Sequence, residues 1–212
     1  MNKLEILKSN LPKVTGILGK DEFFNSAVLI PFVFIDNKLH LLFEKRSPNI
    51  KQGGEICFPG GKIEENDIDA KHTALRETFE EIGLSSSQIN IIGKLDILFG
   101  PRGVLVEPIV AEIKIKNLNQ LIIDKSEVEK VFLVPISFFQ NNEPERFKIH
   151  SSIKHKSYNS KGEQEKLIFE SQNGNDTYFK DIRKVLVYKF ESEIIWGITA
   201  RLVYEVIQKM KN

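Results

Sequence analysis

Cysteine is nearly absent from this sequence. Of 212 residues only Cys57 carries a thiol, so the chain forms no internal disulfide, and a reducing, cytoplasmic setting is the expectation. Four scattered histidines, His40, His72, His150 and His155, do not complete a zinc site with it. An excess of charge is missing too: 30 Lys+Arg stand against 29 Asp+Glu, for a net charge of +1. That removes the general electrostatic reason to bind nucleic acid or anionic lipid. The longest apolar run, Ala27 to Ile35, falls far short of the roughly 20 residues of a membrane helix. The first eight residues are too charged for a signal-peptide core, so neither membrane nor export is expected. Repeats, low-complexity tracts and Pro/Gly/Ser linkers are absent as well. One domain over residues 26–212 follows, with residues 1–25 as an extension packed on it.

What is present reads as interspersed strands and helices. Leu4, Leu7 and Leu11 sit at helical spacing and predict a short helix over 3–10 that stops before Pro12. Apolar runs at Ser26 to Ile35 and Lys38 to Lys45 flank Asp36-Asn37, a pair suited to a tight hairpin. Asp69 to Ile82 reads as a helix packing through Ala70, Ala74, Leu75 and Phe79, with Gly83 as its stop. Strands are predicted at Ile89 to Phe99, Val104 to Ile115, Val128 to Pro135 and Val185 to Phe190. A closing helix from about Trp196 to Met210 carries Ile198, Leu202, Val206 and Met210 on one stripe. The lack of strict alternation favours a mixed α/β sheet with helices packed on it.

The chemistry concentrates in Phe58-Pro59-Gly60-Gly61-Lys62-Ile63-Glu64 and Arg76-Glu77-Thr78-Phe79-Glu80-Glu81-Ile82-Gly83-Leu84. On a helix Glu77, Glu80 and Glu81 stand at i, i+3 and i+4, so three carboxylates leave one face and repel. Arg76, four residues before Glu80, offsets part of that charge, and a hard divalent cation such as Mg²⁺ or Mn²⁺ can offset the rest while sharing its shell with a phosphate. The Gly60-Gly61 turn brings the backbone close enough for a carbonyl to add a ligand, and Lys62 would sit beside bound phosphates. By itself such a glutamate run is more often a solvated helix face. The glycine turn, arginine and terminal glycine in register with it point instead to metal-assisted attack on a phosphoanhydride.

Together these residues resemble the Nudix hydrolase box, G-x5-E-x7-R-E-U-x-E-E-x-G-U with U apolar. Counted from Gly61, Asp67 takes the first acidic position, eight residues rather than seven separate it from Arg76, and Thr78 replaces an aliphatic residue. The extra residue falls in the loop before the helix and leaves Arg76 to Leu84 in register. Flanking segments are similar to the coenzyme A diphosphatase branch, whose motif is L-L-T-x-R-S-x3-R-x3-G-x3-F-P-G-G. Leu41 to Ser47, Lys51, Gly54 and Phe58 to Gly61 match it, with Phe43 for the threonine, Lys51 for the second arginine and one residue missing before Gly54. Pro101 to Val110 and Ile195-Trp196-Gly197-Ile198-Thr199-Ala200-Arg201 resemble its later segments, so the likeness runs from about residue 26 to 205.

The resemblance implies a Nudix α/β/α sandwich and hydrolysis of a nucleoside diphosphate linkage, of coenzyme A to 3′,5′-ADP and 4′-phosphopantetheine or of ADP-ribose, NADH or dinucleoside polyphosphates. A nucleotide-sensing domain without turnover is the reading outside enzymes. Glu77, Glu80 and Glu81 with the Gly60 carbonyl would hold Mg²⁺ or Mn²⁺, Arg76 would orient them, and Lys62 and Arg46 would offset substrate charge. Lys51, Gly61 and Phe58 belong to the substrate-binding motif. The general base is open between the box helix and a later loop, where Glu127 and Glu129 fall. Small members of the family are often homodimers, although no residues here identify an interface. Cys57 reads as a small packed side chain, and Trp196 with Gly197 as packing for the last helix. Arg146 to Lys161, with five bases and no acid, reads as a solvated loop or as an attractor for an anionic substrate.

Overall fold

The computed structural model describes residues 2–153, 158–163 and 179–211. Its centre is an eight-stranded mixed sheet built on β1 (Phe24–Ile35) and β2 (Lys38–Arg46). The turn between them holds Asp36 and Asn37 at φ 49° and 57°, the paired positive φ values that match the twist of a hairpin. β3 (Ile56–Cys57) extends the sheet beyond β2, and β4 (Gly60–Lys62) pairs antiparallel with the start of β1. On the other side β7 (Val104–Ile113) runs parallel to β1 and carries β5 (Ile89–Lys94) and β6 (Leu98–Gly100). β8 (Val128–Pro135) pairs with β2. The run predicted from Ile89 to Phe99 is thus two strands, with a register shift between Ile91 and Gly93.

Alternation of side chains splits the core into two layers. Ala27, Leu29, Val33 and Leu42 meet α2 (Ala70–Ile82) on one face. Ile30, Phe32, Leu41 and Phe43 meet α3 (Ile136–Asn141) and α4 (Gly197–Lys209) on the other. This second layer also holds part of a three-stranded sheet of β9 (Glu145–Ile153), β10 (Phe179–Phe190) and β11 (Glu193–Trp196). The helix–sheet–helix arrangement is the expected sandwich.

Several local expectations change. Phe79 is 59% exposed, and α2 packs through Thr73, Ala74, Thr78 and Ile82 instead. Thr78 satisfies its buried hydroxyl by donating to the Ala74 carbonyl at 2.6 Å, so the polar replacement in the box costs no unpaired group. On α4 the buried stripe is Ala200, Leu202, Val203, Val206 and Ile207, with Met210 exposed. Trp196 is 41% exposed and is not the packing residue expected. The basic stretch begins as strand β9, paired with β10, rather than as a loop; Lys154 and Lys156 lie outside the described residues. In the first 25 residues α1 (Lys3–Asn10) buries no side chain. Contact with the sheet comes later, from Lys20 on Glu107 at 2.6 Å and from Phe23 edge-on to Phe99.

Candidate metal and phosphate site

The site lies where the Gly60-Gly61 turn meets α2. Gly60 has φ 153°, and a Cβ there would strike the Ala27 carbonyl and the Val28 backbone. A Cβ on Gly61 would strike the Glu77 carboxylate. Both glycines therefore let β4 approach its neighbours closely: β1 on one side and the charged face of the helix on the other.

The helix is fixed at both ends. Asp69 caps its start by accepting from the His72 N–H at 2.7 Å. Gly83, at φ 71°, ends it in the left-handed conformation that closes helices. The loop that follows β7 is stitched onto this end, because the Ile122 and Asp124 N–H groups donate to the Ile82 and Glu81 carbonyls at 3.1 and 2.9 Å. The same loop accepts from the Ser47 N–H through the Glu127 carbonyl at 2.8 Å.

Arg76 organises the carboxylates. Its Nε and Nη2 donate to Asp67 at 3.1 and 2.9 Å, Nη1 donates to Glu77 at 2.9 Å and to Glu80 at 3.0 Å, and Nη2 also reaches the Lys62 carbonyl at 3.2 Å. Asp67 accepts further bonds from Thr73 at 2.9 Å and the Glu64 N–H at 2.9 Å, with His72 Nδ1 at 2.8 Å. The guanidinium beside Asp67 holds its carboxyl well below the usual range and raises Arg76 in turn. The extra residue before the helix is accommodated because Asp67 still reaches Arg76.

Glu81 stands apart from this network. Its side chain is buried, and Oε2 accepts from the Gly60 N–H at 2.9 Å. The carboxyl whose charge acts on it most is that of Glu44, on the α2-facing side of β2 in the alternation that places Leu42 there. Glu44 is fully buried; the Cys57 thiol donates to Oε1 at 3.2 Å, and Oε2 has no partner. Burial and mutual repulsion push Glu81 up, and burial chiefly does so for Glu44, while Arg46 opposes both. Burial also raises Glu77, against the pull of Arg76.

Other predicted residues separate. Arg46 turns Nε to the Lys51 carbonyl at 3.2 Å, near enough for its charge to act on Glu44, Glu55 and Glu81. Lys51 and Lys62 are exposed beside this turn. Phe58 is 2% exposed and stacks on Phe43 with ring centroids 4.8 Å apart, so its ring serves the core and not the open surface. Glu127 is exposed and its charge acts on both Glu44 and Glu77; Glu129 faces Lys45 at 3.6 Å instead. Cys57 is pushed well up by burial and Glu44, the opposite of an activated nucleophile. Thr199, in the closing motif, donates to the Ile56 carbonyl at 3.1 Å and anchors α4 to the strand leading into the turn.

Sequence reading gave Glu44 no role and set Phe43 against the motif's threonine, whereas counting back from Arg46-Ser47 puts Glu44 at that position. No local signal marked it, because Lys45 and Arg46 follow directly and Glu44 reads as part of the polar end of the strand. Among the described residues no three Asp, Glu, His or Cys side chains converge closely enough to hold an ion. Two buried acids beside a backbone turn still match Mg²⁺ or Mn²⁺, since Mg²⁺ is usually bound through one or two carboxylates, with water and substrate phosphate completing its shell.

The NUDIX domain family matches residues 24–151. Nudix hydrolase 3 of Caenorhabditis elegans is 40% identical over 124 residues, covering 56% of this chain and 51% of the relative. Peroxisomal coenzyme A diphosphatase NUDT7 of Mus musculus is 36% identical over 138 residues, covering 65% and 56%. The alignments thus span about half the length of these two relatives. A MutT/nudix family protein from Enterococcus faecalis superimposes over 99% of this chain and 70% of its own with a TM-score of 0.51 at 14% identity, a likeness of fold alone. No helix among the described residues is long and apolar enough to cross a membrane.

Proposed function

Since the chain belongs to the NUDIX domain family, we propose that it is a divalent-metal-dependent hydrolase of nucleoside diphosphate linkages, with coenzyme A or its derivatives as substrate. The observation that carries the reaction is the division of the carboxylates: Arg76 ties Glu77 and Glu80, while Glu81 lies against the Gly60 amide with no cation paired to it among the described residues. Glu77, Glu80 and Glu81 with the Gly60 carbonyl would hold Mg²⁺ or Mn²⁺. Bound there, the cation would neutralise developing charge on the phosphates and lower the pKa of a bound water.

The chain's own residues then have separable tasks. Arg76, fixed by Asp67, orients Glu77 and Glu80. Lys62 and Arg46 offset the charge of the diphosphate, with Lys51 beside them. Glu127 is better supported as general base than Glu129, because its charge reaches Glu77 and Glu44 while Glu129 is turned to Lys45. The substrate assignment rests on the likeness to the mouse coenzyme A diphosphatase and on the flanking segments around Arg46 and Thr199. A single cysteine fits a reducing compartment such as the cytoplasm.

A panel of coenzyme A, ADP-ribose, NADH and dinucleoside polyphosphates, each with Mg²⁺ and Mn²⁺, tests the reading. The expected outcome is metal-dependent release of 3′,5′-ADP from coenzyme A at the highest kcat/KM of the panel. Preference for another compound overturns the substrate, and tight nucleotide binding without turnover overturns the reaction.

A further inference from the structure

The unassigned feature nearest this site is the Glu44 carboxyl. It is fully buried on β2, and its Oε2 has no hydrogen-bond partner. Buried polar atoms are nearly always satisfied, and one that is not calls for a function or an unseen ligand. A purely structural role is poorly served by its surroundings: the one donor to it is the Cys57 thiol on Oε1 at 3.2 Å, and a thiol is a weak donor.

Its neighbour sharpens the point. Glu81 is equally buried, and the two carboxyls are near enough to act on one another, with Glu44 paired across the sheet to Cys57, three residues before Gly60. Two neighbouring buried carboxyls either keep a proton or need a positive charge between them once both ionise. Arg76 does not, because its Nη1 serves Glu77 and Glu80 and its Nε and Nη2 serve Asp67. Arg46 acts on the pair only at a distance, its Nε being turned to the Lys51 carbonyl. Among the described residues no lysine, arginine or histidine forms an ion pair with Glu44 or Glu81. The open oxygen and the missing countercharge fall on interacting carboxyls, one of which is held at the Gly60 amide.

We propose that Glu44 is a ligand of the divalent cation, offering Oε2 alongside Glu81, so that one carboxylate of the metal site comes from strand β2 outside the box. The proposal rests on the metal-dependent reading above and adds a residue to it. It gives two buried carboxylates, a number that suits Mg²⁺ or Mn²⁺ sharing its shell with water and substrate phosphates.

The test measures Mn²⁺ affinity directly, by electron paramagnetic resonance of free Mn²⁺ at pH near 8 without substrate, so the readout does not depend on turnover. Glu44→Gln keeps the shape and removes the charge; Glu44→Met removes the polar group as well and guards against misfolding from a half-satisfied amide. Glu81→Gln serves as the reference, and metal-free melting temperatures report folding. The expected result is at least a tenfold weaker Mn²⁺ Kd in both Glu44 variants and in Glu81→Gln, with the metal-free Glu44→Met protein melting no lower than wild type. Unchanged Kd in the Glu44 variants, with weakened binding in Glu81→Gln, overturns the role of Glu44 and leaves the metal site standing. Unchanged binding in all three overturns both, and loss of folding in both Glu44 variants assigns the residue a structural role and overturns the ligand.

Discussion

At the scale of single residues, the box glutamates are not equivalent. Glu80 keeps a side chain 53% exposed, Glu77 keeps 15% exposed against Gly61, and Glu81 is buried against the Gly60 amide. Replacing Glu81 with glutamine removes the carboxylate held at the Gly60 amide, and metal-dependent turnover is expected to fall at least roughly a hundredfold, about 2.7 kcal/mol of barrier. Glu80→Gln, on the solvent side, should fall less. Steady-state rates at saturating Mg²⁺ measure both, and equal effects would remove the ranking. Asp67 differs in kind: it accepts two hydrogen bonds from Arg76 and is enclosed by Thr73, His72 and the Glu64 amide. Asp67→Asn removes the charge from those hydrogen bonds and should destabilise the fold by about 2 kcal/mol, within the range for bonds to charged groups, as read by urea unfolding. The helical spacing of the glutamates was legible because α2 is local, but the difference among them was not, since it depends on β4 and β2 arriving from elsewhere.

At the scale of elements, the pairing of β4 with β1 and its approach to α2 fix how far the turn stands from the carboxylates. The two glycines separate fold from function. A methyl at Gly60 meets backbone of β1, which cannot yield, whereas a methyl at Gly61 meets the end of the Glu77 side chain, which can swing away. Gly60→Ala should therefore lower the melting temperature sharply. Gly61→Ala should melt near wild type yet lose turnover by displacing Glu77 from its contact with Arg76. Thermal melts paired with rates decide this, and a Gly61→Ala protein of normal activity would show that Glu77 does not need its present position. Elements with local signals were readable in the same way: the Asp36-Asn37 hairpin, the capped α2 and the end of β8 at Pro135. β9 was not, since Arg146, Lys148 and His150 drew attention to charge although Phe147 and Ile149 alternate with them. Glu44 was invisible for the related reason that a side chain's partner across a sheet is a fact of register, not of neighbouring sequence.

At the scale of the whole molecule, the near-zero net charge hides opposite electrostatic arms. Asp67 has its carboxyl lowered by Arg76, so its contribution is complete above the ordinary carboxylate range and is lost only as the solution becomes more acid. Glu44, Glu77 and Glu81 are raised from 4.5 by burial, and repulsion adds to this most at Glu81. Protons are thus held by the folded chain where the unfolded chain has released them. Since stability falls with pH wherever the native state binds more protons, their contribution is complete below about pH 4.5 and drains as the pH rises through neutrality. A bound cation substitutes for those protons, and its stabilisation should grow as they leave. Melting curves from about pH 6 to about pH 9 in EDTA should therefore fall steadily, and Mg²⁺ or Mn²⁺ should restore more of the loss at the alkaline end than at the acid end. A metal-free melting temperature that stays flat or climbs over that interval would mean that the buried carboxylates ionise without penalty, and the electrostatic basis for a cation between Gly60 and α2 would fall with it.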